Sequence, residues 1–416
     1  MSAQGGRAAH IAAEAAARRS YGKLVAYLAA RSRDVASAED ALAEAFATAL
    51  EQWPTIGVPE KPEAWLLTVA RRKQIDAARK HQRGDAAEPQ LKIIHEELAA
   101  AAEAPMHIPD RRLALMFVCA HPAIDPAVRT PLILQTVLGF DAATIASAFL
   151  VSPASMSQRL VRAKTKIREA GIAFLEPAPE DLAERLDAVL EAVYAAFTQS
   201  WADADPVGVA RGDLAHEAIF LGRLLTELMP NEPEVLGQMA LMLFAESRRA
   251  ARRSAQGDYV PLSEQDIRLW DHELIKEAEA HLQAASKLGR IGRFQLEAAV
   301  QSAHAARASS GRTDWHAIEA LYDGLLTLSG SSVVAINRAV AIAETRGPEA
   351  ALAALAEAEN AGGMLQYQPY WAARASLLAR AGDPVAANAA YGEAIALATD
   401  PAIRGFLNAR RQALRN

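Results

Sequence analysis

Residues Leu150–Gly171, LVSPASMSQRLVRAKTKIREAG, decide how the rest of the chain is read. Ser152 followed by Pro153 marks the start of a helix, because a hydroxyl caps free amides and proline loses nothing in the first turn. Met156, Leu160 and Ala163 return at helical spacing and form one apolar stripe. Around the stripe stand five cations, Arg159, Arg162, Lys164, Lys166 and Arg168, against one late acid, Glu169. A solvated surface helix mixes its charges more evenly, so this imbalance calls for an anionic partner.

The preceding segment, GFDAATIASAFL (139–150), follows the same grammar. Asp141 is placed to cap, and Ile145, Ala146 and Phe149 recur at packing spacing. A short helix, a tight turn and a second helix with small polar residues in its first turn form the helix-turn-helix layout. Its second helix offers N-terminal residues to base edges while flanking cations meet phosphates. With the apolar stripe turned inward, Ser155, Ser157, Gln158, Arg159 and Arg162 face outward, where Ser and Gln read bases and Arg grips guanine with two bonds. Lys164, Lys166 and Arg168 suit phosphates, which steepens salt dependence without adding specificity. Leu150 stands in the turn, where positive φ makes glycine common. The bland alternative is a basic surface helix that binds nothing.

An earlier block spans roughly residues 8–80. Within SAEDALAEAFATALEQW (37–53), Ser37 and Asp40 predict a capping box, and Leu42, Ala45, Phe46, Ala49, Leu50 and Trp53 predict one buried face. PTIGVPEKPE (54–63), with three prolines and a glycine, reads as a loop. AWLLTVARRKQIDAARK (64–80) then resumes helix with Trp65, Leu66, Val69, Ile75 and Ala78 inward. Between residues 71 and 83, Arg71, Arg72, Lys73, Arg79, Lys80 and Arg83 oppose only Asp76. Cations beside an aromatic and a loop suit single-stranded DNA with an extruded base; for Trp65 alone, a place in the core is the plainer reading. Residues 81–109 read as a linker, and EPAPE (176–180) as a second break.

From Asp181 to the end, helices alternate with short turns. Trp315, Ile318 and Tyr322 follow a Thr-Asp cap, and Gly382, Ala387, Tyr391 and Ala394 precede Pro401 at intervals typical of tetratricopeptide helix pairs. A non-repetitive bundle is the alternative. Charge divides the same way: residues 1–175 hold 22 Lys+Arg against 18 Asp+Glu, while the remainder holds 22 against 32.

Taken in order, these pieces resemble an extracytoplasmic-function sigma factor of the sigma-70 family. The rear resembles the long tetratricopeptide-like extension of one subgroup, carried by ERLDAVLEAVY, AIFLGRLL, PNEPEVLGQMALMLFAESRRAAR and TDWHAIEALYDGLL. The resemblance implies an all-α fold with two small sigma domains, 1–80 and 110–175, the second bearing the helix-turn-helix. A helical solenoid over 181–416 would regulate them, through an intramolecular contact or another protein. It implies that Glu39, Asp40 and Glu44 meet the clamp helices of the core polymerase's largest subunit, although capping and the helix dipole also account for those acids. It implies that Trp65, Arg71, Arg72, Lys73, Arg79 and Lys80 serve the −10 element. The helix Ser152–Lys164, with Lys166 beyond it, would read the −35 element, and 81–109 would thread the polymerase. A helix-turn-helix regulator that binds operators without core polymerase is the runner-up.

A lone cysteine, Cys119, among Met116, Phe117 and Val118 reads as a buried, inert thiol and fits a reducing cytoplasm. No apolar run approaches the ~18 residues of a membrane span, and Arg7, Glu14, Arg18 and Arg19 leave no signal-peptide core. His95-Glu96-Glu97 lacks the second histidine of a zinc helix, and no phosphate loop or nucleophile elbow occurs. No cofactor, metal or catalytic residue is expected.

Overall fold

Leu24, Val25, Ala26, Leu28 and Ala29 are all fully buried within the first helix, α1 (Ala3–Ser32), which is therefore covered on several sides. It packs against α2 (Val35–Ile56), α3 (Pro62–Gln82), α4 (Arg112–Cys119) and α5 (Pro126–Thr136), and a helix so enclosed needs no single apolar stripe. The computed structural model describes residues 3–82, 110–149, 151–172, 174, 179–202, 209–359 and 364–414. The linker at 83–109, Leu150, and the side chains of Arg79 and Lys80 lie outside the described residues. Among the described residues there is no strand beyond an isolated bridge between Arg253 and Tyr259, and the chain is all-α.

Three local expectations are corrected. The cap of α2 is Asp34, whose carboxylate accepts from Ser37 N at 3.1 Å, so the helix starts ahead of the expected Ser37. Asp caps as well as Ser, and Arg33 at φ 56° turns the chain sharply into it. At the far end α2 continues through Pro54 to Ile56, ending at Gly57 with φ 86°. A proline near the end of a helix forfeits one backbone bond without forcing an exit. Leu50, expected inward, is 42% exposed.

The first compact unit runs to Ala196. Its second half centres on α4, where Leu115, Met116, Phe117, Val118 and Cys119 are almost wholly enclosed. Around it lie α5, α6 (Ala142–Ala148), α7 (Pro153–Glu169) and the start of α8 (Pro179–Ala202). Thr130 Oγ1 donates to the Ala188 carbonyl at 3.3 Å, and Arg185 Nη1 donates to the Phe117 carbonyl at 3.4 Å. The first half of α8, which the sequence grouped with the rear region, thus packs against α4 and α5 in the same unit as the helix-turn-helix. Cys119 is free and buried, as expected; its Sγ lies 3.4 Å from Thr136 Oγ1, and burial pushes the thiol up to about 12.

The second unit, from Phe197, contains α9 (Val209–Leu228), α10 (Pro233–Glu246), α11 (His272–Lys287), α12 (Arg293–Ala305), α13 (Arg307–Ser310), α14 (Trp315–Ser329), α15 (Ser332–Thr345), α16 (Pro348–Glu359), α17 (Gln368–Arg380), α18 (Pro384–Leu397) and α19 (Pro401–Ala413). Its helices pack chiefly on neighbours one or two places along the chain. Asp271, Asp314, Asp383 and Asp400 cap four of them. Ala387 and Ala394 are fully buried and Tyr391 nearly so, while Gly382 turns the chain at φ 82° between α17 and α18. Loop 253–264 ties back to α19: Arg253 pairs with Asp400 at 2.5 Å, Arg410 pairs with Glu264, and Tyr259 meets Phe406 edge-on at 5.5 Å.

Candidate nucleic-acid interface

Asp141 accepts from Ala143 N and Thr144 N, both at 2.9 Å, and so starts α6 where the sequence places it. Ser152 does the same for α7, accepting from Ser155 N at 3.2 Å, with Pro153 in the first turn. Met156, Leu160, Ala163 and Ile167 are buried along one stripe of α7. Ser157, Gln158, Arg162 and Lys166 are exposed on the opposite side, with Ser155 and Arg159 half-buried between. Arg159, Arg162 and Lys166 line one wall of a groove of about 460 Å³, and Asp125, Ala127 and Val128 at the start of α5 line the other. This cationic wall, on a helix held rigidly from behind, is suited to a duplex backbone and its base edges.

Lys164 is the exception on α7. Its Nζ binds Glu39 Oε2 on α2, and both side chains are only 12% exposed. Arg168 reaches Asp34, the cap of α2, at 3.5 Å. Of the acids expected to meet the polymerase, Glu39 is therefore occupied, Asp40 is exposed, and Glu44 pairs with Lys73 at 3.0 Å. Burial raises the Glu39 pKa, and Lys164 works against that rise. Burial first, then the charges of Glu39 and Asp40, drive the Tyr21 phenol well above its ordinary value. The two halves also meet at Gly22: a Cβ there would lie 1.8 Å from the Val137 carbonyl oxygen. A glycine inside a helix usually has such a packing reason, and this was a sequence signal that could have revealed the contact.

The α3 patch is less open than its cation count implies. Arg71 is 8% exposed; its Nη2 donates to Tyr27 OH and its guanidinium lies 4.8 Å from that ring, so it belongs to the α1–α3 interior. Desolvation lowers its pKa. The expectation that Arg71 faces opened strands is thereby corrected: on α3 it falls one turn after the enclosed Leu67, on the face that meets Tyr27 of α1. Arg72 is exposed, and Lys73 divides between solvent and Glu44. Trp65 is half-buried, edge-on to the enclosed Trp53 at 5.4 Å.

Comparison with known proteins bears directly on α1–α3. Residues 17–84 match the family described as Sigma-70 region 2, and residues 185–286 match a family of unknown function, DUF6596. An uncharacterized protein of Rhizobium meliloti (strain 1021) is 41% identical over 382 residues, 90% of this chain and 89% of the relative. The chain belongs to the sigma-70 family. It is a sigma-70 protein with a C-terminal extension, and the family assigns it a sigma-factor-like role in transcription initiation. No solved structure matches it. Among the described residues, no helix of this sigma-70 protein is long and apolar enough to cross a membrane, and no group of His, Cys, Asp or Glu is arranged to hold a metal ion.

Proposed function

We propose that this chain is a cytoplasmic RNA polymerase sigma factor of the extracytoplasmic-function group. It binds core polymerase through α2, reads the −35 element with α7 and contacts the opened −10 element through Arg72 and Lys73 of α3. It performs no catalysis of its own, and its tetratricopeptide-like extension, 181–416, regulates initiation. The observation that carries the reading is the sigma-70 region 2 match over α1–α3, followed in the same chain by a capped helix-turn-helix whose outer face is cationic.

The Lys164–Glu39 pair gives this reading a mechanism. Glu39 belongs to the α2 surface assigned to polymerase, and Lys164 belongs to the α7 surface assigned to DNA. While they hold each other, neither surface is complete. Core polymerase docking on α2 competes with α7, so binding core frees the −35 helix. Free protein is then a weak DNA binder, and promoter recognition is confined to holoenzyme.

The test is equilibrium binding of the full chain to promoter duplexes with and without core polymerase at fixed salt. The reading expects at least a tenfold gain in specific affinity on adding core. Equal, sequence-specific binding without core would instead identify an operator-binding regulator.

A further inference from the structure

Many arginines of the second unit are neutralised. Arg223, Arg249, Arg290, Arg338, Arg346 and Arg380 each contact a carboxylate at 3.1 Å or less. Arg248, at the end of α10, does not. One of its amino groups bonds Gln301 Oε1 at 2.5 Å, and the other, Nη1, is enclosed without a hydrogen-bond partner. Burial lowers its pKa to about 10, and the charges of Arg252 and Arg307 press it the same way. A guanidinium enclosed beside like charges with one amino group unpartnered is costly, and a region with an excess of acids had every opportunity to supply a partner.

The surroundings are built rather than incidental. Trp270, 3% exposed, lies with its ring 6.0 Å from the Arg248 guanidinium and 5.2 Å from that of Arg307, and its own Nε1 is enclosed without a partner. Arg307 is held by the carbonyls of Leu262, Ser263 and Gln265 at 3.0 to 3.2 Å, so its position is fixed. His304, edge-on to Trp315 at 5.5 Å, is pushed down to about 4 by burial and by the same two arginines. The site therefore presents two unused donors and a surplus of positive charge, fixed by aromatic and backbone contacts.

We propose that the Arg248–Arg307–Trp270 cluster is a binding site for a small oxyanion, or for the phosphate or carboxylate group of a larger metabolite. A fork of guanidinium donors matches such groups in shape as well as charge. The ligand completes the cluster that holds the loop before α11, the same loop that is tied to α19. This inference is independent of the sigma-factor reading, because it needs neither polymerase nor DNA.

The test is isothermal titration of the full chain with inorganic phosphate against sodium chloride of equal ionic strength. Saturable phosphate binding is expected, unchanged in Arg380→Gln, whose guanidinium pairs with Glu344 elsewhere in the second unit. Arg248→Lys keeps the charge, loses the fork, and should weaken binding at least tenfold. In the wild type, phosphate should raise the titration midpoint of the His304 imidazole followed by NMR, with His304→Phe assigning the resonance. Phosphate indistinguishable from chloride, an Arg248→Lys variant that binds like wild type, or a His304 midpoint that ignores phosphate would each overturn the site. The arginines would then be buttresses of Trp270 alone. Succinate in place of phosphate distinguishes a carboxylate ligand from a phosphate one.

Discussion

Replacing Lys164 by Met tests the closure between α2 and α7 and keeps Ser157, Gln158, Arg162 and Lys166, the exposed side chains of the recognition helix, in place. The side-chain length is nearly kept, so the change removes charge and leaves Glu39 enclosed without its partner. Deleting one member of a buried ion pair costs about 3–5 kcal/mol. Residual exposure of 12% on each side places this pair at the low end, about 3 kcal/mol. At 1.4 kcal/mol per factor of ten, the open population should rise about a hundredfold. The native thiol reports it. Cys119 is fully buried on α4, which packs against α1, and burial holds it at about 12. Parting the halves uncovers α4 and returns the thiol towards its ordinary value of about 8.5, so labelling at pH 8 follows the open fraction. Lys164→Met should label far faster than wild type, whereas Lys166→Met, exposed on the same helix, should not. Glu39→Leu combined with Lys164→Met should slow labelling again, because an apolar pair can replace a buried ionic one. Equal rates for Lys164→Met and Lys166→Met, with both variants still melting cooperatively, would refute the reasoning.

Four further outcomes follow from particular contacts. Gly22→Ala sets a Cβ against the Val137 carbonyl and should raise Cys119 labelling without altering any charge, through about 1–3 kcal/mol of overpacking. Gly237→Ala places a Cβ 2.6 Å from Gln295 N and should cost a similar amount, lowering the thermal midpoint of the extension by roughly 2–12 °C in calorimetry. His304 lies below its ordinary 6.5, at about 4, so its contribution is fully present above 6.5 and is lost as the unfolded chain takes up a proton that the folded one refuses. Denaturant titrations from pH 7 down to 4 should show up to about 3 kcal/mol of loss, which His304→Phe abolishes. Arg162→Gln should weaken holoenzyme binding to promoter DNA and reduce the magnitude of its salt slope by about 1, if that side chain serves a phosphate.

The sequence made the helix-turn-helix legible because its signals are local. Asp141 and Ser152 cap with their side chains, accepting from backbone N–H groups two or three residues on, and Met156, Leu160 and Ala163 face inward by helical period alone. The basic count was a weaker guide, since charge does not state its partner. Lys164 and Arg168 turned to acids 125 and 134 residues away, and Arg71 to Tyr27. No period or spacing encodes such pairings; they depend on how two helical halves meet. Only Gly22 and the lone enclosed thiol hinted at that meeting. The start of α2 was misjudged because Ser37 and Asp34 are equally good caps, and the preceding residue's positive φ chose between them. The Arg248 cluster escaped notice because its arginines come from the turn after α10 and from α13, with nothing in either stretch to mark one guanidinium nitrogen of Arg248 as unpartnered.

Run-off transcription with purified core polymerase tests the central claim most directly. A library of promoter fragments, transcribed with core alone, with core plus the full chain, and with core plus a chain carrying Arg159→Ala and Arg162→Ala, gives the answer in one assay. The account predicts discrete transcripts that require both core and the intact chain and fall sharply in the double variant. Transcripts that appear with core alone, or none on any fragment when the chain is added, would contradict it.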